Sequence, residues 1–376
     1  MPAFNSGRHC RLNGGWCGAG GWLMRGRQRL RSPYAVLALL GLLRLILCLH
    51  LVGWLLPLRF RPRPGAISVP ICSPSLQAAI QLEMSRPPEE SVWPALRPLA
   101  NATLACPPPN FANASLAMEV PPSTSEDIQL DHPDILAGGE WQPADCQSRH
   151  RVAIIIPFRD RHCQLLQLIR HLIPILKAHH LHFRFFVSEQ VGSSLFNKGA
   201  LMNAAFLEAK ASFRPHCIWF HDVDMFPEKL ETSYDCSQEP IHLGAFVNSI
   251  GYRLMYHNLA GGVLGLRTEQ LERVNGYSNG FWGWGGEDDD MGQRILHYLG
   301  RLWRPRKHIT YTMATHRKRS PSQRHTILAK LSEGPEASPL DGLSQKAWRL
   351  LSLWPRPLFT HLRLALGPAP TGWLPT

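Results

Sequence analysis

From residue 151 onward the apolar positions change period in a regular way. Residues 152–157 form a short unbroken apolar run, the pattern of a strand buried on both faces. Residues 162–178 then place Leu165, Leu168, Ile169, Leu172, Ile175 and Leu176 at helical spacing, with Pro174 expected to kink or shorten the helix. A strand over 183–188, a helix over 197–210 and a strand over 217–220 follow. Behind the acids at 287–289, Met291, Ile295 and Leu299 predict another helix. Strands alternating with helices predict an α/β domain with a largely parallel sheet, whose ligands sit at the carboxyl ends of its strands.

Two stretches upstream read differently. Residues 35–58 are apolar apart from Arg44 and His50, and a bilayer core needs about 20 such residues. No small-residue cleavage site follows, and arginines flank both ends with a slight excess before the span. This predicts a tail over 1–34 in the cytosol and a single-pass type II signal anchor over 35–58. Residues 65–145 hold 13 prolines, too many for a regular period to survive, so 59–139 is expected to be a luminal stem and lead-in. It carries sequons at Asn101 and Asn113.

Charge then changes the picture. The 376 residues carry a formal charge of +12, but residues 1–64 hold ten arginines and no acid. The remainder is therefore nearly neutral, and the basic balance gives no argument for a nucleic-acid partner. Of nine cysteines, Cys72, Cys106, Cys146, Cys163, Cys217 and Cys236 follow the apolar span, with no CxxC among them. Disulfides of an oxidising lumen fit this better than zinc.

The candidate chemistry lies at strand ends and before the last helix. The predicted strand at 217–220 leads into Asp222-Val-Asp224, two carboxylates able to share a divalent cation and a nucleotide diphosphate. Residues 281–290 read Phe-Trp-Gly-Trp-Gly-Gly-Glu-Asp-Asp-Asp. Glycines there make a hinge carrying flat apolar faces suited to a sugar ring. Acids at a helix start complement its dipole, which accounts for one or two of the four but not for all behind two tryptophans. Met313 and His316 add a thioether and an imidazole three residues apart.

Together with Pro157-Phe-Arg-Asp-Arg161, Phe196-Asn-Lys-Gly-Ala-Leu-Met-Asn203 and Gly261-Gly-Val263, these motifs resemble the β-1,4-galactosyltransferase family, Golgi type II membrane enzymes of the GT-A (Rossmann-like) fold. The resemblance covers about residues 140–331, with 332–376 a C-terminal extension of unassigned role. It implies a luminal, Mn²⁺-dependent, inverting transfer from a UDP-sugar to the 4-hydroxyl of terminal N-acetylglucosamine (GlcNAc). Asp224, Met313 and His316 would hold the metal and Asp288 would be the base. Pro157, Phe158, Arg159 and Arg161 would frame the nucleotide, Phe196 would pack on uracil, and Asp222, Gly262, Trp284 and Glu287 would line the donor. Tyr256, Asp289, Arg324, His325 and Leu328 would hold the acceptor. Cys106–Cys146 and Cys217–Cys236 match the family's disulfides.

Three positions depart from the family pattern: Asp160 stands where many relatives have Asn, His325 replaces an aromatic, and Leu259 replaces a Tyr. Leu lacks the ring and hydroxyl beside the donor's C2 and leaves apolar room for an acetamido group. This makes UDP-N-acetylgalactosamine (UDP-GalNAc) the expected donor, with UDP-galactose the alternative and UDP-GlcNAc a third. A non-catalytic sugar-binding Golgi protein and a metal-dependent phosphohydrolase are the rival classes. Trp348, Leu350, Leu351, Leu353 and Trp354 are expected to form a short docking helix.

Overall fold

A computed structural model describes residues 66–88, 104–112, 115–305, 308–315 and 323–374. The predicted anchor at 35–58, the sequon asparagines Asn101 and Asn113, and His316 lie outside these residues. Among the described residues no helix is long and apolar enough to cross a membrane.

Among the described residues the elements begin with α1 (Pro74–Ser85) and α2 (Ser125–Asp131), then β1 (Glu140–Trp141), β2 (Arg151–Phe158), α3 (His162–Ala178) and β3 (His182–Val191). Next come α4 (Lys198–Ser212), β4 (Cys217–His221), β5 (Met225–Pro227), β6 (Ile241–His242), β7 (Val263–Arg267) and α5 (Thr268–Arg273). The chain continues through α6 (Glu287–Leu299), β8 (Tyr311–Met313) and α7 (Arg324–Leu331), and ends in the hairpin β9 (Trp348–Pro355) and β10 (Thr360–Leu366). The main sheet runs β6-β7-β4-β2-β3-β10-β9, with β1 beside the start of β3. β4, β2, β3 and β10 are parallel, while β7, β6 and β9 join antiparallel at the margins. The sheet is thus parallel only in its middle, short of the largely parallel sheet expected. β5 and β8 form a separate antiparallel pair.

The predicted strands and helices form, most of them longer by a few residues. Seven of the eight β2 residues are buried, which is why its sequence is apolar without alternation. Val152, Ile154 and Ile156 face the core under α3, while Ala153 and Ile155 face the layer under α4. Pro174 lies within an α3 that still runs 17 residues, so it does not shorten the helix. In α4 the Asn197 side chain accepts from the Ala200 amide at 2.9 Å, capping the first turn.

Residues 74–85 and 125–131, where the proline density led to no regular period being expected, are helices. Proline density misleads there because the prolines flank the helices rather than interrupt them. Pro74 occupies the first turn of α1 behind the Ser73 cap, where no amide hydrogen is required. Pro121 and Pro122 precede α2, whose Thr124 and Asp127 form a reciprocal cap. Ile80, Met84 and Ile128 from these helices are buried in the core. Three disulfides form: the two expected, Cys106–Cys146 and Cys217–Cys236, and Cys72–Cys163, which joins the start of α1 to α3.

The docking helix expected at 348–354 is instead β9. A short apolar run has no period of its own, and the available strand β10 decides it by pairing with β9 on one side and β3 on the other.

Candidate active site

β2 and β4 end side by side in the sheet, and the segments leaving their carboxyl ends carry most of the candidate residues. After β2 come Arg159 and Arg161; the Phe158 ring itself is turned into the core, edge-on to His162, so Pro157 and Phe158 can offer only backbone outward. Arg159 donates to the Ser194 carbonyl at 2.7 Å and lies 5.1 Å over the Phe196 ring. Arg161 donates to Asp224 Oδ2 at 2.9 Å. Asp224 is 6% exposed. The β5–β8 register sets Met225 opposite Met313, and the Ala314 amide donates to the Asp224 carbonyl, so Asp224 and Met313 are brought together from residues 89 apart in sequence.

The acids gather around one lysine. Lys198 Nζ lies 3.0 Å from Asp222, 3.4 Å from Glu287 and 3.1 Å from Asp288. Burial opposes its charge, but Asp222, Asp288 and Glu287 outweigh that and hold its pKa well above the ordinary lysine value. The carboxylates answer in kind. Burial raises Asp288 and Asp222, with Lys198 pulling both back, and burial plus the Asp288 charge carries Glu287 to about 7. Lys198 was not among the residues singled out from sequence. It stood within the Phe196–Asn203 motif, and its proximity to three acids exists only in the fold.

The rest of the wall comes from two loops. Tyr256, Leu259 and Gly262 lie on the connection entering β7, where the Asp222 amide donates to the Gly262 carbonyl at 2.8 Å. A Cβ on Gly261 would stand 2.5 Å from Asp288 Oδ2, so the backbone touches that carboxylate directly. The Tyr256 hydroxyl bonds to Asp289; burial and this contact raise its pKa. Trp284 is 64% exposed on a segment whose Gly283, Gly285 and Gly286 all have φ near +90°. The Gly283 amide is pinned to the Phe196 carbonyl at 2.7 Å. Arg324, His325 and Leu328 stand exposed on α7, which docks beside this segment through buried Ile327. They are not drawn into the acid cluster.

Another group of potential ligands, His150, Asp235 and Cys236, lies elsewhere. The Cys236 sulfur is bonded to Cys217 at the opposite end of β4, and His150 pairs with Asp235 at 2.6 Å. With its sulfur in a disulfide, this is a hydrogen-bonded His–Asp pair beside a crosslink rather than a metal centre.

Residues 106–237 match the N-terminal region of glycosyl transferase group 7, and residues 241–317 match the N-terminal domain of galactosyltransferase. The chain is 35% identical over 336 residues to β-1,4-galactosyltransferase 4 of Rattus norvegicus, covering 88% of this chain and 96% of that protein. It is 43% identical over 213 residues to β-1,4-galactosyltransferase 5 of Mus musculus, covering 56% of this chain and 55% of that one. A solved catalytic domain of Drosophila β-1,4-galactosyltransferase 7 in complex with xylobiose is similar at TM-score 0.50 and 29% identity, over 58% of this chain and 94% of the other. With the matched segments running through both strand ends, the Lys198 cluster and Met313, the chain belongs to the β-1,4-galactosyltransferase family and is a UDP-sugar-dependent β-1,4-glycosyltransferase.

Proposed function

We propose that this site transfers galactose from UDP-galactose to the 4-hydroxyl of a terminal β-linked GlcNAc, with inversion at the sugar's anomeric carbon. The reading is carried by one observation: Lys198 joins Asp222 of the Asp-x-Asp turn to Asp288 in the first turn of α6. A donor-side acid and an acceptor-side acid are thereby held around one centre. Asp288 is the proposed base, since inversion needs a carboxylate on the acceptor hydroxyl opposite the leaving UDP. Asp289 and Tyr256 hold the acceptor ring, with Arg324, His325 and Leu328 forming the far side of its pocket. Arg159, Arg161 and Phe196 receive the nucleotide, while Glu287, Trp284, Gly262 and Leu259 surround the donor sugar.

Mn²⁺ is the proposed metal. The buried Asp224 carboxylate and the adjacent Met313 thioether suit a site completed by His316 and phosphate oxygens, although thioether is a soft donor for so hard an ion. When bound, the metal would neutralise charge on the leaving diphosphate. We place the enzyme in the Golgi membrane as a single-pass type II protein with this domain luminal, on the strength of the 35–58 span and the family.

The relatives' names favour UDP-galactose over the GalNAc donor expected from Leu259. Leu259 is the observation that keeps GalNAc transfer as a second reading. Parallel assays with UDP-galactose, UDP-GalNAc and UDP-GlcNAc on a GlcNAc acceptor decide between them, with Leu259→Tyr as control. UDP-galactose should give the highest kcat/KM, with UDP release requiring both Mn²⁺ and acceptor. Preference for UDP-GalNAc, reversed by Leu259→Tyr by about 10–200-fold, would establish the second reading instead. UDP release without acceptor at the full rate would sink both.

A further inference from the structure

The loop that carries Leu259 has no strand or helix to satisfy its backbone, so its carbonyls need partners from elsewhere. Two side chains outside every motif supply them. Arg304 donates through Nη2 to the His257 carbonyl at 2.6 Å and to the Leu259 carbonyl at 2.8 Å. Its Nε lies 3.3 Å from His242 Nδ1, and His242 Nε2 is 2.7 Å from the Gly261 carbonyl. His242 is fully buried, and burial drives its pKa down to about 3, so the ring is neutral. Only one tautomer satisfies both contacts: Nδ1 accepts from Arg304 and Nε2–H donates to Gly261.

We propose that Arg304 and His242 are positioning residues that fix the donor-sugar pocket by gripping the backbone of residues 257–261. This deepens, and rests on, the glycosyl-transfer reading above. Among the described residues Arg304 donates to two carbonyls and a neutral imidazole, so its value lies in the planar fork of donors rather than in an ion pair. The grip reaches the chemistry at three points. Leu259, whose carbonyl is held, is the residue beside the donor's C2 in the reading above. Gly261, held through His242, abuts Asp288. Asn258 lies so close to α6 that a Cβ on Gly292 would stand 1.9 Å from its carbonyl oxygen, so a shift of the loop pushes on the helix bearing Asp288. Arginine and histidine are themselves locked together, because the His242 amide donates to the Trp303 carbonyl at 2.9 Å.

The test compares wild type, Arg304→Met, Arg304→Lys and His242→Gln in the luminal portion of the chain. It reads kcat and KM for UDP-galactose and UDP-GalNAc, acceptor KM, and hydrogen exchange of the 257–262 amides. Arg304→Met should raise donor KM and compress the ratio of kcat/KM between the two donors by about tenfold, with acceptor KM within about twofold of wild type. Exchange in 257–262 should quicken. Arg304→Lys, which keeps charge but loses the fork, should fall between; His242→Gln, which can still donate to Gly261, should stay near wild type. An unchanged donor ratio in Arg304→Met, or an equal loss for both donors, overturns the inference. Failure of wild type to transfer any of these sugars overturns the transferase reading instead, and unchanged exchange in Arg304→Met would then still overturn the grip on the loop.

Discussion

Lys198 is the residue on which the acid cluster depends. Without it, Asp222, Glu287 and Asp288 would face one another without the ammonium that lowers the pKa of each. Burial raises Asp288 and Lys198 lowers it again, so the lysine favours the ionised form that the proposed base requires. Lys198→Met should therefore move the acidic limb of the kcat/KM profile to higher pH, and Lys198→Arg should restore it. A limb that stays in place in Lys198→Met would show that the lysine acts on shape alone. Asp288→Asn keeps the shape and removes the basicity. Turnover should fall by about 10²–10⁴, with UDP binding measured by calorimetry largely retained. Turnover within a few-fold of wild type would assign the base elsewhere.

At the scale of elements, the segment 281–286 has to combine freedom with a defined seat. Gly286 stands at φ 95°, and a Cβ there would come within 2.8 Å of both Phe281 and Ile327. Its underside is a small cluster of Phe281, Ile327, Ala369 and Trp373, with the Thr326 hydroxyl donating to the Gly372 carbonyl at 2.8 Å. Ala369 and Trp373, in the extension whose role the sequence leaves unassigned, thus support the segment bearing Trp284. Gly286→Ala should cost about 1–3 kcal/mol in backbone strain alone and lower kcat more than it lowers thermal stability. Trp373→Ala, on the same logic, should speed proteolysis within 281–286 and 324–331 while leaving the 72–163 region protected. Equal sensitivity in both regions would mean general unfolding rather than loss of the seat.

Over the whole molecule, residues 66–88 are part of the domain that carries the site. The Ile67 amide donates to Thr312 Oγ1 at 3.0 Å, one residue from Met313. Arg356, in the β9–β10 turn, donates to the carbonyls of Glu83 and Met84 at the end of α1. A chain beginning at residue 104 would lose these bonds, the burial of Ile80 and Met84, and the Cys72–Cys163 crosslink closing 91 residues. Each side chain is worth about 1.5–3 kcal/mol and the crosslink about 2–4. That chain should melt well below one beginning at residue 66, and it should need more Mn²⁺ for half-maximal activity because the strand bearing Met313 is no longer tied. Equal melting temperatures would show that residues 66–88 are a true stem.

The buried middle strands and the helices between them were legible together: the apolar run at 152–157 fits a strand buried on both faces because the amphipathic helical period of 162–178 follows it. The acid-rich motifs were legible because their chemistry is local. Four acids behind Trp282 and Trp284 declare themselves without neighbours. Tertiary structure alone decided the rest, wherever meaning depends on a partner far away in sequence. Residues 348–355 became a strand only because β10 offers them an edge, and α1 survives its prolines because they lie at its ends. Lys198 and Arg304 each look like an ordinary surface cation in sequence; it is the close approach of Asp288 to one, and of the carbonyls of His257 and Leu259 to the other, that gives each its role. Periodicity records which face of an element is apolar, whereas which distant groups that face meets is set by how the sheet stacks the elements.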